Sequence, residues 1–377
     1  MKIIRIRAVA RKEFLHVFRD YRSLMMAIAI PIMMLVLFGY ALTLDVDNVP
    51  LAVWDQSGTP QSREFVARFD GSRYFSVRGA VENQREMDYA IDSGRALCVL
   101  VIPRDFAQKL SAGRAAEVQL IVDGSDSNTA TIALNYAEAV VQSYSQNLVF
   151  QTIRRSGLPE PRQPLNVEPR VWFNEDLQSK NFIVPGLIAV LMMVISALLT
   201  SLTIAREWEQ GTMEQLIATP VKGPELILGK LIPYFAIGLF DVLLAVLMAE
   251  FVFHVPLRGS VLFLFSIAVI FLIGANSMGL VISINMKNQL LAAQFAMVAT
   301  FLPSFLLSGF MFSIANMPRV IQIITYIVPA RYFVTTLKGI YMKGVGPSVL
   351  FGEVIFLMIY SVIMFTIANV RFKKKLS

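Results

Sequence analysis

Cysteine is nearly missing from this sequence: of 377 residues only Cys98 is one. A single thiol excludes a disulfide within the chain and any cysteine-based metal site. It stands in the apolar stretch 96–102, where a free cysteine is expected to act as a small buried core residue. Histidine is almost as scarce, with His16 and His254 alone, and neither H-E-x-x-H nor G-x-S-x-G occurs. Zinc-protease and nucleophile-elbow chemistry therefore have no residues to work with. Charge is also short, at 16% of residues against about 25% in soluble domains. A phosphate-binding loop is lacking too. The stretch from Gly223 to Lys230 has a superficial likeness, but five residues separate Gly223 from Gly229, and Leu231 stands where Ser or Thr would hold Mg²⁺. It also opens an apolar helix rather than following a strand. The chain has no means of hydrolysing ATP by itself, is not expected to be an enzyme, and shows no residues that call for a cofactor or a metal.

What is abundant is apolar side chains, 55% of the sequence, gathered into long runs near the N-terminus and across the C-terminal half. Such runs divide the chain into a membrane part and a soluble part. Residues 1–22 form a cytoplasmic basic segment. Within it Ile3, Ile6, Ala10, Phe14 and Val17 recur at helical steps, the pattern of an amphipathic helix lying in the membrane interface. The first span is 23–44, too long for the core of a cleavable signal and so an uncleaved anchor. Lys2, Arg5, Arg7, Arg11, Lys12, Arg19 and Arg22 precede it, which places the N-terminus in the cytoplasm. Further spans fall at about 182–204, 225–253, 261–284, 290–312 and 349–370. Residues 317–345 are apolar but broken by Pro318, Arg319, Pro329, Arg331 and Lys338, and read as short external re-entrant helices. The basic tail 371–377 is a second cytoplasmic signature. Only an even number of spans puts both basic ends inside, and six satisfies this.

Residues 45–180 form the insert. It holds 14 Lys/Arg and 18 Asp/Glu, whereas the rest of the chain has 20 and 9. Basic residues thus track the apolar runs, which fits a membrane surface rather than nucleic acid. Strands are expected at 50–54, 73–78, 97–102, 117–122 and 167–173. Helices are expected near 59–70, 82–93, 103–112 and 127–155, with a linker at Gly157, Pro159, Pro161 and Pro164. The fold class is a six-helix polytopic membrane protein with an inserted extracytoplasmic, or periplasmic, α/β domain.

The most specific stretch runs from Arg206 to Lys230 and begins R-E-W-E-Q-G-T-M-E-Q-L-I-A-T-P. It resembles the cytoplasmic segment of type-2 ABC transporter permeases, and the likeness extends in order along most of the chain, through Leu306–Ser313, Met317-Pro318 and Val328-Pro329-Ala330-Arg331-Tyr332. Ser313 stands where the family's proline is expected, a departure that bears on local helix geometry. The resemblance implies that 205–224 is a coupling segment seated in a groove of a cytoplasmic ABC ATPase subunit. Glu207, Glu209, Gln210 and Glu214 would then pair with basic groups of that partner. Trp208 and Met213 would supply apolar anchors, Gly211 a sharp bend, and Thr212 belongs to the same motif.

Asp241 lies near the middle of the third span, where an ionisable group favours a pore-facing, partner-facing or helix-contacting position. Glu250 is nearer the span's outer end and reads as interfacial. Pro303 and Gly309 could let a gate bend, and the 18 Met and 27 Phe residues suit an adaptable apolar passage or lipid contact. The resemblance further implies a second permease copy or a sibling permease, contact with membrane lipid, a periplasmic adaptor protein on the external domain, and hydrophobic or amphipathic cargo. A membrane receptor with a ligand-sensing external domain, or an ion-coupled carrier, remains compatible with the residues. Co-purification of an ATPase subunit separates these classes.

Overall fold

The computed structural model describes residues 2–19, 21–41, 48–155, 172–174 and 178–372. Two compact units divide the chain: Met1–Thr43 together with Arg170–Ser377, and Leu44–Pro169. In chain order the first helices are α1 (Ile3–Arg19) and α2 (Tyr21–Ala41). Next come β1 (Val49–Asp55), α3 (Pro60–Asp70), β2 (Phe75–Ala80), α4 (Gln84–Asp92), β3 (Cys98–Ile102), α5 (Phe106–Ser111), β4 (Gln119–Val122) and α6 (Ser127–Arg155). The chain continues through α7 (Lys180–Glu209), α8 (Thr212–Ala218), α9 (Gly223–Phe251), α10 (Val261–Met286) and α11 (Gln289–Leu307). It closes with α12 (Arg319–Thr325), α13 (Pro329–Lys338) and α14 (Phe351–Arg371).

In the first unit, five helices among the described residues are long and apolar enough to cross a membrane: α7, α9, α10, α11 and α14. To these α2 adds a helix of 21 residues with an apolar Ala27–Ala41 stretch. Its rise of about 31 Å matches the ~30 Å hydrocarbon layer. Over 317–345, α12 meets the helix Pro329–Lys343 at 85°. Pro318 precedes α12 and Pro329 opens α13, so each proline sits where its missing N–H costs nothing. The axis of the unit is α7. It packs against α2, α9, α10, α11 and α13, and 89% of its apolar stretch is buried, compared with 17% in α14. Gly186, Ala189, Ser196, Ala197 and Thr200 give α7 a slim profile, the condition for close helix packing in lipid. Span ends differ from the sequence expectation in places: α7 continues to Glu209 beyond the expected 204, and α11 stops at Leu307, not near 312, because Ser308 closes the helix and Gly309 takes a φ of 79°.

The second unit holds a four-stranded sheet of order β2-β1-β3-β4. β1 is parallel to β2 and β3, with Leu51 opposite Val77 and Cys98, and β3–β4 is antiparallel. Helical crossovers cover both faces, so the central strands are apolar on both sides. Val49, Leu51 and Val53 face Phe65, Phe69, Phe75 and Phe106, with Ala133, Ala137 and Tyr144 of α6 closing that core. Ala52 and Val99 face Met87, Ala90 and Ala96 on the other side. Thr59 caps α3, accepting from Ser62 N at 3.2 Å, and Asn83 caps α4, accepting from Glu86 N at 2.9 Å. Residues 156–171 and 373–377, which include the expected linker, most of the 167–173 strand and most of the basic tail, lie outside the described residues. The unit's contact boundary falls at Pro169, and α7 begins at Lys180. The approach to α7 is fastened instead to α7's own start: Asn174 Nδ2 donates to Gln178 O at 3.0 Å and Asn181 Nδ2 to Asn174 Oδ1 at 2.8 Å.

Candidate functional site

The expected coupling segment begins on a helix that outruns the apolar layer. With 30 residues, α7 rises about 45 Å, so its last turns project beyond ~30 Å of hydrocarbon. Gln210 ends α7, and Gly211 turns the chain with a φ of 69°, a conformation that a Cβ would strain. The seven residues of α8 follow at once. The bend expected at Gly211 is thus the junction between α7 and α8.

Beneath this turn lies a buried cluster of charges. Lys230 of α9 is 1% exposed. Its Nζ donates to Glu13 Oε1 of α1 at 2.7 Å and to Glu207 Oε1 of α7 at 3.0 Å. Lys12 Nζ donates to Glu207 Oε1 at 2.5 Å, and the Thr212 hydroxyl donates to the other Glu207 oxygen. Two lysines therefore face two carboxylates, so the buried charge is balanced and its hydrogen bonds are made, the condition under which buried ions are tolerated. One turn away Glu225 receives Lys2 N at 2.7 Å, Lys222 N at 3.0 Å and Arg5 Nη1 at 3.5 Å. α1 is thereby bonded to α9 at two levels. Between them Gly229 admits Val9, since a Cβ on Gly229 would come within 2.6 Å of Val9 Cβ.

A second set of bonds joins α7 to α1 and to the start of α11. Arg206 Nη1 donates to His16 Nε2 at 2.7 Å and its Nε to Gln289 Oε1 at 3.1 Å. Glu209 Oε2 accepts from Gln289 N at 2.9 Å. The apolar side of α8 rests on a small core of Ile204, Met213, Leu226, Ile227, Leu280 and Phe372, with Trp208 packed at its edge. Lys287 Nζ sits 4.8 Å from the centre of the Trp208 ring, in cation–π range.

These positions correct several expectations. Glu207 and Met213 are 6% and 1% exposed and act inside the chain, not as groups offered to a partner, because Glu207 is held by Lys12 and Lys230. Trp208 is likewise engaged by Lys287 and the core. Glu209 is exposed yet bonded to Gln289, and Thr212 is bonded to Glu207. What remains outward is Gln210, Gly211, Glu214, Gln215 and Ala218. The apolar face of α1 is shifted too: Val9, Ala10, Glu13 and Val17 are buried while Ile3 is 80% exposed. Sequence reasoning misses the role of Lys230, which enters there only as the end of the 206–230 stretch and of a failed phosphate loop. A lysine within an apolar run is itself the signal that could have found it.

The three gate candidates do not gather. Asp241 is buried where α9 meets α2 and α7, beside Pro31, Leu35, Leu191 and Met192. Its Oδ1 has no hydrogen-bond partner among the described residues. Pro303 lies inside α11 and lines a separate cavity of about 400 Å³ with Met193, Tyr326, Pro329, Phe356 and Tyr360. Gly309 terminates α11 and so cannot bend it from within.

Comparison with known proteins gives a consistent answer. Residues 21–370 match the family described as ABC-2 family transporter protein. The chain is 39% identical to the probable multidrug ABC transporter permease YbhS of Escherichia coli K12, over 99% of this chain and 97% of that protein. It is 30% identical to the probable multidrug ABC transporter permease YbhR of the same organism, over 98% and 99%. It is 26% identical to that organism's inner membrane transport permease YhhJ, over 86% and 85%.

Proposed function

Because the chain belongs to the ABC-2 transporter family, we propose that it is the permease subunit of an ATP-driven exporter that moves hydrophobic or amphipathic compounds outward across the inner membrane. Family membership makes it a multi-pass transport component and not an enzyme, and implies a separate ATPase subunit and a permease partner. In this reading both termini are cytoplasmic and residues 45–180 form an extracytoplasmic α/β domain, open to a periplasmic adaptor. The observation that carries it is the mounting of α8. A short helix with an outward face of Glu214, Gln215 and Ala218 is fixed to α7, α9 and α1 by the Glu207–Lys230–Glu13 cluster and by Met213. Force applied to that face by an ATPase would pass into α7, the buried axis of the unit, instead of being lost in a loop. Exposed apolar side chains along α11, such as Phe295, Val298 and Leu302, suit lipid or a second permease copy.

The test is reconstitution with the cognate ATPase subunit. Glu214→Lys is expected to leave folding within about 0.5 kcal/mol, as surface substitutions do, while lowering substrate-stimulated ATP hydrolysis and ATPase co-purification severalfold. Full transport by this polypeptide without an ATPase, or labelling of residue 208 from the same side as residues 45–180, overturns the reading.

A further inference from the structure

We propose that the Leu44–Pro169 unit carries a binding site for a small amphipathic anion, in the cavity between α3, α5, α6 and the segment 113–118. The cavity measures about 490 Å³, within the ~300–1,000 Å³ typical of small-molecule sites. Its body is apolar, formed chiefly by Phe65, Phe106, Leu110, Val118 and Leu148. Three polar side chains break that lining: Ser145, Tyr144 and Arg114. Tyr144 is 5% exposed and its hydroxyl has no hydrogen-bond partner among the described residues, although a buried phenol ordinarily finds one. Arg114 stands exposed at the rim, and its guanidinium forms no ion pair among the described residues.

Among the described residues no Asp or Glu lines the cavity and Arg114 is its one charged lining side chain; Glu64, which acts on the Tyr144 hydroxyl from outside the lining, is paired with Arg68. The wall that carries the hydroxyl is well fixed. Tyr144 packs on Phe65 at 5.0 Å between ring centres, and Phe65 on Phe69 and Phe106 at 5.4 and 5.6 Å. A fixed apolar recess with one unpaired donor and one cation at its mouth selects a ring or short alkyl body ending in a carboxylate or sulfonate. It disfavours a cation with the same body. The site belongs to a unit with its own core and uses none of the residues that mount α8, so it stands apart from the coupling proposal.

Full-length protein in lipid nanodiscs, photolabelled with a diazirine-bearing decanoic acid and mapped by peptide mass spectrometry, provides the test. Label is expected within 106–118 and 141–149, displaced by excess decanoate and not by decylammonium. Arg114→Glu should lower that labelling about tenfold, the loss of one charge-assisted hydrogen bond. Tyr144→Phe should lower it severalfold, and Ala116→Trp, which fills the mouth, should abolish it. Arg114→Glu lies at an exposed position, so it decides the matter whether or not Ala116→Trp folds. Equal displacement by decylammonium, labelling untouched by Arg114→Glu, or label confined to the apolar helices of the other unit overturns the proposal.

Discussion

Two buried carboxylates in the same unit are treated in opposite ways. Glu207, at the end of α7, is met by Lys12, Lys230 and Thr212. Asp241, in the middle of α9, has apolar neighbours and an oxygen with no partner among the described residues. The first belongs to a bonded frame in which each charge holds another in place. The second is a single polar group inside an apolar contact. The carboxylate at the α8 end ties helices together, whereas the one at mid-helix lies among apolar side chains.

The sharpest way to break this comparison is Lys230→Met. It leaves Glu13 and Glu207 with only the half-exposed Lys12 between them, and removing one member of a buried ion cluster costs about 3–5 kcal/mol. A large fall in thermal unfolding temperature and loss of transport are expected. Adding Glu13→Gln and Glu207→Gln should recover much of the stability, and unchanged stability in the single variant would refute the account. Next in size is Gly229→Val, which drives side-chain atoms into Val9 and should cost about 1–3 kcal/mol by overpacking. Its signature is faster proteolysis of α1 in the folded protein.

Asp241→Leu sharpens the other half. Stability is expected to stay level or rise by about 1 kcal/mol, since an unpaired polar group is removed from an apolar site, and Asp241→Asn should fold as the parent does. A fall comparable to that of Lys230→Met would mean that Asp241 has a partner after all. The smallest effect concerns a third dry group, in the other unit. Burial pushes the Cys98 thiol up from 9.0 to about 12. The proton is held more tightly in the folded state, so this contribution is complete below pH 9 and is lost as pH climbs toward 12. At pH 8 a maleimide should modify Cys98 roughly a thousandfold more slowly than it modifies the unfolded chain, because the thiolate is the reacting form.

Much of the fold was legible because it is written in local periods. Apolar runs gave the helices α7, α9, α10 and α14 nearly to their ends. β1 and β3 announced themselves as short apolar runs between turn residues, and prolines 318 and 329 marked the break at 317–345. The motif between Arg206 and Pro220 located the site. What was not legible is which way its side chains face. The Glu13–Lys230 bond spans 217 residues of sequence, and no local pattern says that α1 lies against α9. For the same reason Glu207 and Glu214 read alike, as acids on one short segment, although one is buried and the other outward. The end of α11 was misplaced because Gly309 inside an apolar run looks like a flexible point until its left-handed φ reveals a stop.

One residue from the far end of the sequence has a bearing on how the protein is made. Phe372, just past α14, closes the small core under α8 together with Met213, Leu226 and Ile227. It leaves the ribosome after every other residue of that core. A nascent chain that has already threaded α7, α9 and α10 into the bilayer therefore still lacks the floor of its docking element. Emergence of Phe372, rather than insertion of the earlier spans, completes the core on which α8 rests.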